Sequence, residues 1–385
     1  MDPKHCEPSV ASGPYRAPWW LPGGHLQTIY ARGLARSYAV SYRRERWDTP
    51  DHDFIDLDWV DHASNGGRLI VLFHGLEGYS QSHYARSLMA KATEFGWRGV
   101  VPHFRGCSGE ANRLLRSYHS GDSQEIDWIL RRIKTENRHS DIYTVGISIG
   151  GNMLLKWLGE QGASAARIVE RAVAVSTPLD LVAAATELDF GIKRILYASY
   201  FLRTLRPRAL AKVVAHDLAI DPRAIRASIT FRQFDDLFTA PVHGFQNAAD
   251  YWTRCSSKPW LDKIGVPTLV LNAQNDPFLP ASTLPTADEV SNAVTLEFPR
   301  SGGHVGFVGV AHGVALDGMD LFWSLAHVHG GPAPVRRFLP ELIDLIWNRQ
   351  IDPGKVFDLH LPLDEAAEGY RAMDQREAIK TLLRP

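Results

Sequence analysis

The feature that most constrains the fold of this 385-residue chain is a regular alternation of short apolar runs with longer amphipathic runs. Apolar runs of strand length, several of them rich in β-branched residues, lie at 68–74, 99–104, 141–147 and 171–176. Segments with apolar residues at helical spacing lie between them, at 82–97, 123–135 and 150–159. Alternating strands and helices imply crossover connections, which make neighbouring strands parallel and cover both faces of the sheet. The chain is therefore predicted to be an α/β protein with a mostly parallel central sheet.

The alternation stops after Pro178 and returns near residue 267. Residues from about 183 to 260 contain helical pieces and no clear strand, whereas 267–272 and 294–298 again have strand character. An insertion of this size and type predicts a helical cap over the sheet.

Net charge, cysteine content and hydropathy indicate which binding partners and which cellular compartment to expect. The net charge is −1, so no nucleic-acid or anionic-membrane partner is expected from the charge of the whole chain. Three widely spaced cysteines, Cys6, Cys107 and Cys255, indicate reduced thiols and cannot form a four-cysteine zinc site. We find neither a signal peptide nor an apolar run long enough to span a membrane, so we expect a cytoplasmic protein.

The motif with the clearest chemistry is Gly146-Ile-Ser148-Ile-Gly150, which follows a predicted strand and begins a predicted helix. This context is typical of the nucleophile elbow of α/β-hydrolases, in which a sharp turn holds a serine hydroxyl above the sheet. Glycine two positions before and after the serine leaves room for that turn. Ser148 is the predicted nucleophile, and the amide of Ile149, at a helix amino terminus, is a predicted oxyanion donor.

The base and the acid should follow the serine, because this fold orders its triad as serine, acid, histidine. His304 is the predicted base, since it lies just after a late strand and two glycines precede it. Asp276, at the end of the strand that begins near 267, is the predicted acid, and Asp180 after the previous strand is the alternative. In the loop after the first strand, the Leu76 amide is the predicted second oxyanion donor, whereas His74 is expected to be structural.

Several motifs together resemble the YheT-like α/β-hydrolases over about residues 15–308. They are Pro22-Gly-Gly-His-Leu-Gln-Thr28, His74-Gly-Leu-Glu-Gly78, Phe104-Arg-Gly-Cys-Ser-Gly109, Tyr118-His-Ser-Gly-Asp122, Gly146-Ile-Ser-Ile-Gly-Gly-Asn152, Phe234-Asp-Asp-Leu-Phe-Thr-Ala-Pro-Val-His-Gly244, Asn275-Asp-Pro-Phe278 and Gly302-Gly-His-Val-Gly-Phe307. The resemblance implies an esterase or lipase-like enzyme, active on short- or medium-chain acyl esters. It assigns the triad to Ser148, Asp276 and His304 and implies a small-molecule ester substrate, with no cofactor and no metal.

Beyond about residue 308 the resemblance changes. Val308-Gly-Val-Ala-His-Gly313, Gly330-Gly-Pro-Ala-Pro-Val-Arg-Arg337, Ile351-Asp-Pro-Gly-Lys-Val-Phe-Asp358 and the stretch 363–374 resemble the carboxyl-terminal end of zinc-dependent, medium-chain alcohol dehydrogenases. We interpret the chain as a chimera: a hydrolase domain over 1–308 and a dehydrogenase-like tail over 309–385. Neither a dinucleotide-binding motif nor zinc ligands are found, so the tail is expected either to supply packing alone, through a helix over 338–347, or to be partly disordered. An oxidoreductase fusion and a non-catalytic hydrolase-fold protein are the alternative functions, and the sequence does not indicate an oligomeric state.

Overall fold

The computed structural model describes residues 17–33, 38–61, 67–306, 359–368, 371 and 381–384. Its centre is an eight-stranded sheet in the order β1-β2-β4-β3-β5-β6-β7-β8. The strands are β1 Arg43–Asp48, β2 Phe54–Val60, β3 Gly67–Phe73, β4 Arg98–Pro102, β5 Ser140–Ile147, β6 Arg171–Val175, β7 Thr268–Leu271 and β8 Val294–Glu297. Strands β3 to β8 pair in parallel, whereas β1 and β2 are antiparallel to their neighbours. The predicted α/β fold with a mostly parallel sheet is thus confirmed.

The first two strands were not predicted, because their sequences lack a continuous apolar run. Strand β1 is Arg-Arg-Glu-Arg-Trp-Asp, and two of its three arginines lie opposite aspartates of β2. Arg44 is paired with Asp58 and Arg46 with Asp56, each at 2.7 Å. These cross-strand ion pairs neutralise carboxylates that are otherwise buried within β2, and they take the place of apolar pairs at this sheet edge.

Helices cover both faces of the sheet, as the crossover connections require. The helices outside the cap are α1 Gly23–Gly33, α2 His83–Glu94, α3 Ser123–Glu136 and α4 Ile149–Gln161. Alternate residues of β3 point to opposite faces: Leu69, Val71 and Phe73 pack with α3 and α4, whereas Ile70 and Leu72 pack with α2. The resulting two apolar layers hold the carboxyl ends of the parallel strands at one edge, where β5 ends next to Ser148.

The chain between β6 and β7 contains helices and no strand, in agreement with the predicted character of this segment. Its elements are α5 Leu181–Asp189, α6 Gly191–Lys193, a π-helical turn Arg194–Ala198, α7 Ser199–Ala215, α8 Pro222–Ala227, α9 Phe231–Phe234, a π-helical turn Asp235–Thr239, α10 Ala240–Val242 and α11 Ala248–Cys255. These helices have apolar clusters of their own, one of which includes Phe278 from the sheet domain. The segment is hereafter called the cap, and its boundaries as a domain stay a prediction.

The described tail residues belong to a second compact unit, separate from the one that holds the sheet. Within it β9 Leu359–Pro362 pairs in parallel with β10 Thr381–Arg384. The predicted packing helix over 338–347 and most of the dehydrogenase-like motifs lie outside the described residues. Among the residues that the structure does describe, no helix is both long and apolar enough to cross a membrane.

Candidate active site

Ser148 lies at the tip of a sharp turn between β5 and α4. Its backbone has φ 54° and ψ −123°, a conformation that non-glycine residues rarely adopt and that is found mainly where function requires it. A Cβ atom on Gly146 would come within 2.5 Å of the Gly151 Cα, and one on Gly150 within 2.4 Å of the His74 carbonyl oxygen. The glycines on either side of the serine are therefore required by close packing, as the motif predicted.

The structure brings Ser148, His304 and Asp276 together in one hydrogen-bonded line. The Ser148 Oγ lies 3.0 Å from the His304 Nε2, and the His304 Nδ1 lies 2.9 Å from the Asp276 Oδ2. The second Asp276 oxygen accepts a hydrogen bond of 2.8 Å from the Phe278 amide, which fixes the carboxylate. With Nδ1 donating to the carboxylate, the neutral imidazole presents the Nε2 lone pair to the serine hydroxyl.

Asp180, the alternative acid, has a different position. It is the N-cap residue of α5, and its carboxylate accepts a hydrogen bond of 3.0 Å from the Ala183 amide. The structure thus places Asp276, rather than Asp180, against the imidazole.

Three residues that the sequence did not single out as functional hold the loop of His304 in place. The Thr28 Oγ1 accepts a hydrogen bond from the His304 amide at 2.9 Å, and the Gln27 Oε1 accepts one from the Gly302 amide at 2.8 Å. The Asn275 Oδ1 accepts a third, from the Gly303 amide, at 2.9 Å. These three residues lie in the family motifs 22–28 and 275–278. No residue pattern in those motifs, however, indicates that they hydrogen bond to the His304 loop. We call Gln27, Thr28 and Asn275 the loop clamp.

The backbone on the far side of the histidine is strained as well. Val305 has φ 59° and Ser176 has φ 50°, and for a β-branched residue such as valine a positive φ is a genuine outlier. The Val305 amide donates to the Ser176 Oγ at 2.9 Å, so the two strained residues are held to each other. Together with the loop clamp, this contact leaves the His304 backbone little freedom to move.

The loop after β3 lies directly against the serine. A Cβ atom on Gly75 would come within 3.2 Å of the Ser148 Cβ, and the Gly75 amide donates to the Tyr84 hydroxyl at 2.9 Å. His74 orients this loop: its Nδ1 donates to the Gly75 carbonyl at 2.8 Å, and its Nε2 accepts from the Phe104 amide at 3.0 Å. Burial lowers the pKa of His74 to about 3, so the ring is neutral, as these two hydrogen bonds require.

A cavity of about 580 Å³ extends from Ser148 beneath the cap. The predicted oxyanion donors Leu76 and Ile149 line it together with the serine. Most of its wall is apolar, and the cap and the β7 loop contribute Leu181, Leu188, Phe201, Leu205, Phe231, Phe238 and Phe278. A cavity with a hydroxyl at one end and hydrocarbon walls along most of its length suits an apolar chain attached to a polar reacting group.

Phe278 joins the histidine to the cap. Its ring stacks on the His304 imidazole with centroids 3.9 Å apart, and Tyr197 packs against its other side at 4.7 Å. Tyr197 is hydrogen bonded to the His25 Nδ1 at 2.8 Å, and burial raises the pKa of the Tyr197 hydroxyl to about 12. Among the residues that the structure describes, no group of three or more His, Cys, Asp or Glu side chains is arranged to hold a metal ion.

Comparison with known proteins places these features in context. Residues 68–309 match the family model of the alpha/beta hydrolase fold. The chain is 40% identical over 290 residues to "Putative esterase YheT" of Escherichia coli strain K12, which covers 74% of this chain and 84% of that protein. It is 28% identical over 313 residues to human "Phospholipase ABHD3", covering 79% and 75%. A solved esterase of Pyrococcus furiosus has a TM-score of 0.45 at 16% identity, covering 70% of this chain and 86% of that one.

Proposed function

We propose that this chain, which belongs to the α/β-hydrolase fold family together with YheT, hydrolyses carboxylic esters through an acyl-enzyme formed on Ser148. The observation that carries the proposal is the line of two hydrogen bonds from Ser148 through His304 to Asp276. The names of two relatives, an esterase and a phospholipase, support the same class of bond.

In the first half of the proposed reaction, the His304 Nε2 removes the Ser148 proton as Oγ attacks the ester carbonyl carbon. The imidazolium that forms is stabilised by the Asp276 carboxylate and then donates its proton to the leaving alkoxide. The amides of Ile149 and Leu76 are the proposed donors to the oxyanion. The position of Ile149 as first residue of α4 supports its role, because amides at a helix amino terminus lack partners within the helix.

In the second half, a water molecule attacks the acyl carbon and His304 acts again as base, which releases the acid and restores the serine. The apolar cavity beneath the cap would hold the acyl chain, so short- and medium-chain acyl esters are the proposed substrates. The contact of Phe278 with the imidazole face supports a fixed ring orientation throughout the cycle.

Labelling with a fluorophosphonate probe, followed by mass spectrometric mapping of the modified peptide, tests the proposal. We expect a single adduct on Ser148, and we expect none in the Ser148→Ala variant. The same variant should lose turnover of p-nitrophenyl esters by several orders of magnitude while keeping its melting temperature. Turnover near the wild-type level, or an adduct on a different residue, would overturn the assignment of Ser148.

A further inference from the structure

The cap presents an exposed apolar surface to solvent. Within the described residues, five large apolar side chains near the start of its long helix are between 37% and 69% exposed. These residues, hereafter the apolar cap face, are Phe190, Ile192, Ile195, Leu196 and Tyr200. The last four follow helical spacing across α6, the π-helical turn and the start of α7, so they lie along one side of a continuous helix. Single exposed apolar residues need no explanation, but a contiguous group marks an interaction surface.

The first helix of the chain extends this surface. The Arg32 guanidinium lies 3.8 Å from the centre of the Tyr200 ring and also donates to the Tyr200 hydroxyl. Leu26 and Ile29 of the same helix are 49% and 46% exposed. The apolar cap face therefore continues onto α1, and the two helices present it together.

Basic side chains accompany the apolar ones. Residues 190–215 contain Lys193, Arg194, Arg203, Arg206, Arg208 and Lys212 and no aspartate or glutamate. Arg206 donates to cap carbonyls, Arg208 pairs with Glu77 at 2.9 Å, and Lys212 donates to carbonyls of residues 114–116. Lys193, Arg194 and Arg203 lie within three residues of a member of the apolar cap face along the chain, and Lys193 also pairs with Glu187. Arg32 contacts Tyr200 from α1. The net charge of −1 for the whole chain does not reveal this local excess of positive charge.

We propose that the apolar cap face docks on the surface of an anionic lipid membrane. Exposed Ile, Phe and Leu side chains beside lysine and arginine are the composition with which peripheral helices lie in a lipid interface. Each basic side chain near such a surface adds attraction to anionic headgroups. A second copy of the chain is a poorer occupant, because a symmetric contact would bring the same basic side chains together.

The docking surface is close to the candidate active site. Tyr197 lies in the same π-helical turn as Ile195 and Leu196, but its side chain is buried and contacts Phe278, which in turn stacks on His304. A membrane bound at the apolar cap face would therefore lie two side chains away from the imidazole. The consequence that lipid esters reach Ser148 from the membrane rests on the proposed function, whereas the docking itself does not.

Vesicle flotation of the full chain tests the docking without any catalysis. We expect binding to vesicles of phosphatidylcholine mixed with phosphatidylglycerol and weaker binding to phosphatidylcholine alone. The double variant Ile192→Glu with Ile195→Glu should bind the mixed vesicles roughly 100-fold more weakly, since two aliphatic anchors are lost and two negative charges are added. The matched control is Val214→Glu with Ile229→Glu, which replaces two exposed aliphatic residues that are not members of the apolar cap face and should bind as the wild type does.

Turnover of a water-soluble p-nitrophenyl ester and circular dichroism report on the fold and the site of all three proteins, and both should be equal among them. Wild-type protein that turns over this ester but does not float with mixed vesicles overturns the docking and leaves the proposed function intact. Equal binding by the two double variants also overturns it.

Loss of a wild-type dimer in the Ile192/Ile195 variant, seen by light scattering without vesicle binding, would assign the face to a second copy instead. Vesicle binding by a protein without ester turnover would retain the docking and reject the proposed function.

Discussion

Two groups of polar side chains in this molecule are about equally buried, yet they are built in opposite ways. In the first, which we call the arginine cluster, the Arg105 guanidinium lies 2.7 Å from Glu125 and 3.0 Å from Asp53. In the second, Ser148, His304 and Asp276 form a single line with one hydrogen bond at each step. A positive φ angle occurs at Ser148 in the second group and at the neighbouring Ser176 and Val305, but at none of the three members of the first group.

The difference shows how burial can serve either stability or chemistry. Asp53 accepts hydrogen bonds from the Asn112 side chain and the amides of Phe54 and Arg113, as well as from Arg105. Burial alone would raise the pKa of Asp53, but these hydrogen bonds outweigh it and lower the pKa. The Arg105 guanidinium has carboxylate partners on each side, although Arg105 also lines the cavity, whereas the strained backbone at Ser148 holds a hydroxyl that lines the cavity and has the His304 imidazole beside it.

The largest expected difference between the two groups is in the effect of substitutions on kcat. Asp276→Asn is expected to lower kcat by about 10³- to 10⁴-fold, because the amide stabilises neither the required tautomer nor the imidazolium. Asp180→Asn is the matched control and should change kcat less than about tenfold, since Asp180 caps α5. Kinetics on a p-nitrophenyl ester measure both. A larger loss of kcat in the Asp180 variant would show that Asp180, rather than Asp276, is the acid of the triad.

The next effect is on stability and concerns the arginine cluster. Asp53→Asn should lower the free energy of unfolding by about 3 kcal/mol, because Arg105 loses a buried partner and the new amide group places a donor among donors. Asp48→Asn breaks an ion pair whose carboxylate is 77% exposed and should cost less than about 1 kcal/mol. Urea unfolding compares the two variants, and equal costs would show that the cluster is not the stabilising group we describe.

A smaller effect, dependent on pH, comes from the buried histidines. The pKa of His74 is lowered to about 3 by burial, so the unfolded chain binds a proton below about pH 6.5 that the folded chain excludes. This stabilisation is present above that pH and is lost as the pH falls. The His74 contribution alone would lower the free energy of unfolding by about 2 kcal/mol from about pH 6.5 to about pH 5. The buried carboxyls of Glu125 and Asp235, whose pKa values burial raises, act in the opposite direction over this range, so the histidine contribution is measured as the difference between a variant and the wild type.

His119, whose pKa burial lowers to about 4, adds to this loss in the same direction. The variant His119→Asn should therefore show a shallower decrease than the wild type in urea unfolding over this range. The Asp53 carboxylate changes the free energy of unfolding only below about pH 4, whereas the histidines change it between about pH 6.5 and pH 5. The two contributions can therefore be measured separately. Equal pH dependence in the His119→Asn variant and the wild type would contradict the neutral state of the buried His119.

The smallest effect tests the loop clamp. Thr28→Val keeps the volume but removes the acceptor for the His304 amide, and we expect kcat to fall roughly tenfold with KM unchanged. Thr28→Ser should restore most of the rate, because it restores the hydroxyl. Thr186→Val, which removes an exposed hydroxyl on α5, is the control. A change in KM alone would show that Thr28 acts on the substrate rather than on the histidine loop.

These regions also differ in how far the sequence predicted them. The elbow at Ser148 is local, since strand, turn and helix follow one another within a few residues, and the structure has all three. His304 could be selected because few histidines follow a late strand. Asp276 and Asp180 could not be separated by pattern, because both come just after a strand and only the tertiary structure determines which one faces the imidazole.

The parts that the sequence did not predict depend on contacts between distant segments. Strands β1 and β2 have aspartates and arginines where a buried strand normally has apolar residues, and their pairing becomes clear only when the two strands are adjacent. Gln27 and Thr28 lie in a helix whose sequence gives no reason to associate it with a loop near residue 303. The resemblance of residues 309–385 to dehydrogenases stays a prediction, because most of that segment lies outside the described residues.

The loop clamp has a consequence for synthesis on the ribosome. The two hydrogen bonds made by Gln27 and Thr28 span 275 and 276 positions of the chain, so α1 leaves the ribosome long before the loop that it must hold. At ordinary rates of translation this delay is about 15 to 55 s. During that interval the Gln27 Oε1 and the Thr28 Oγ1 lack the backbone amides of the His304 loop that they accept from in the folded chain. Helix α1 is thus made early, but it obtains its hydrogen bonds to the His304 loop late.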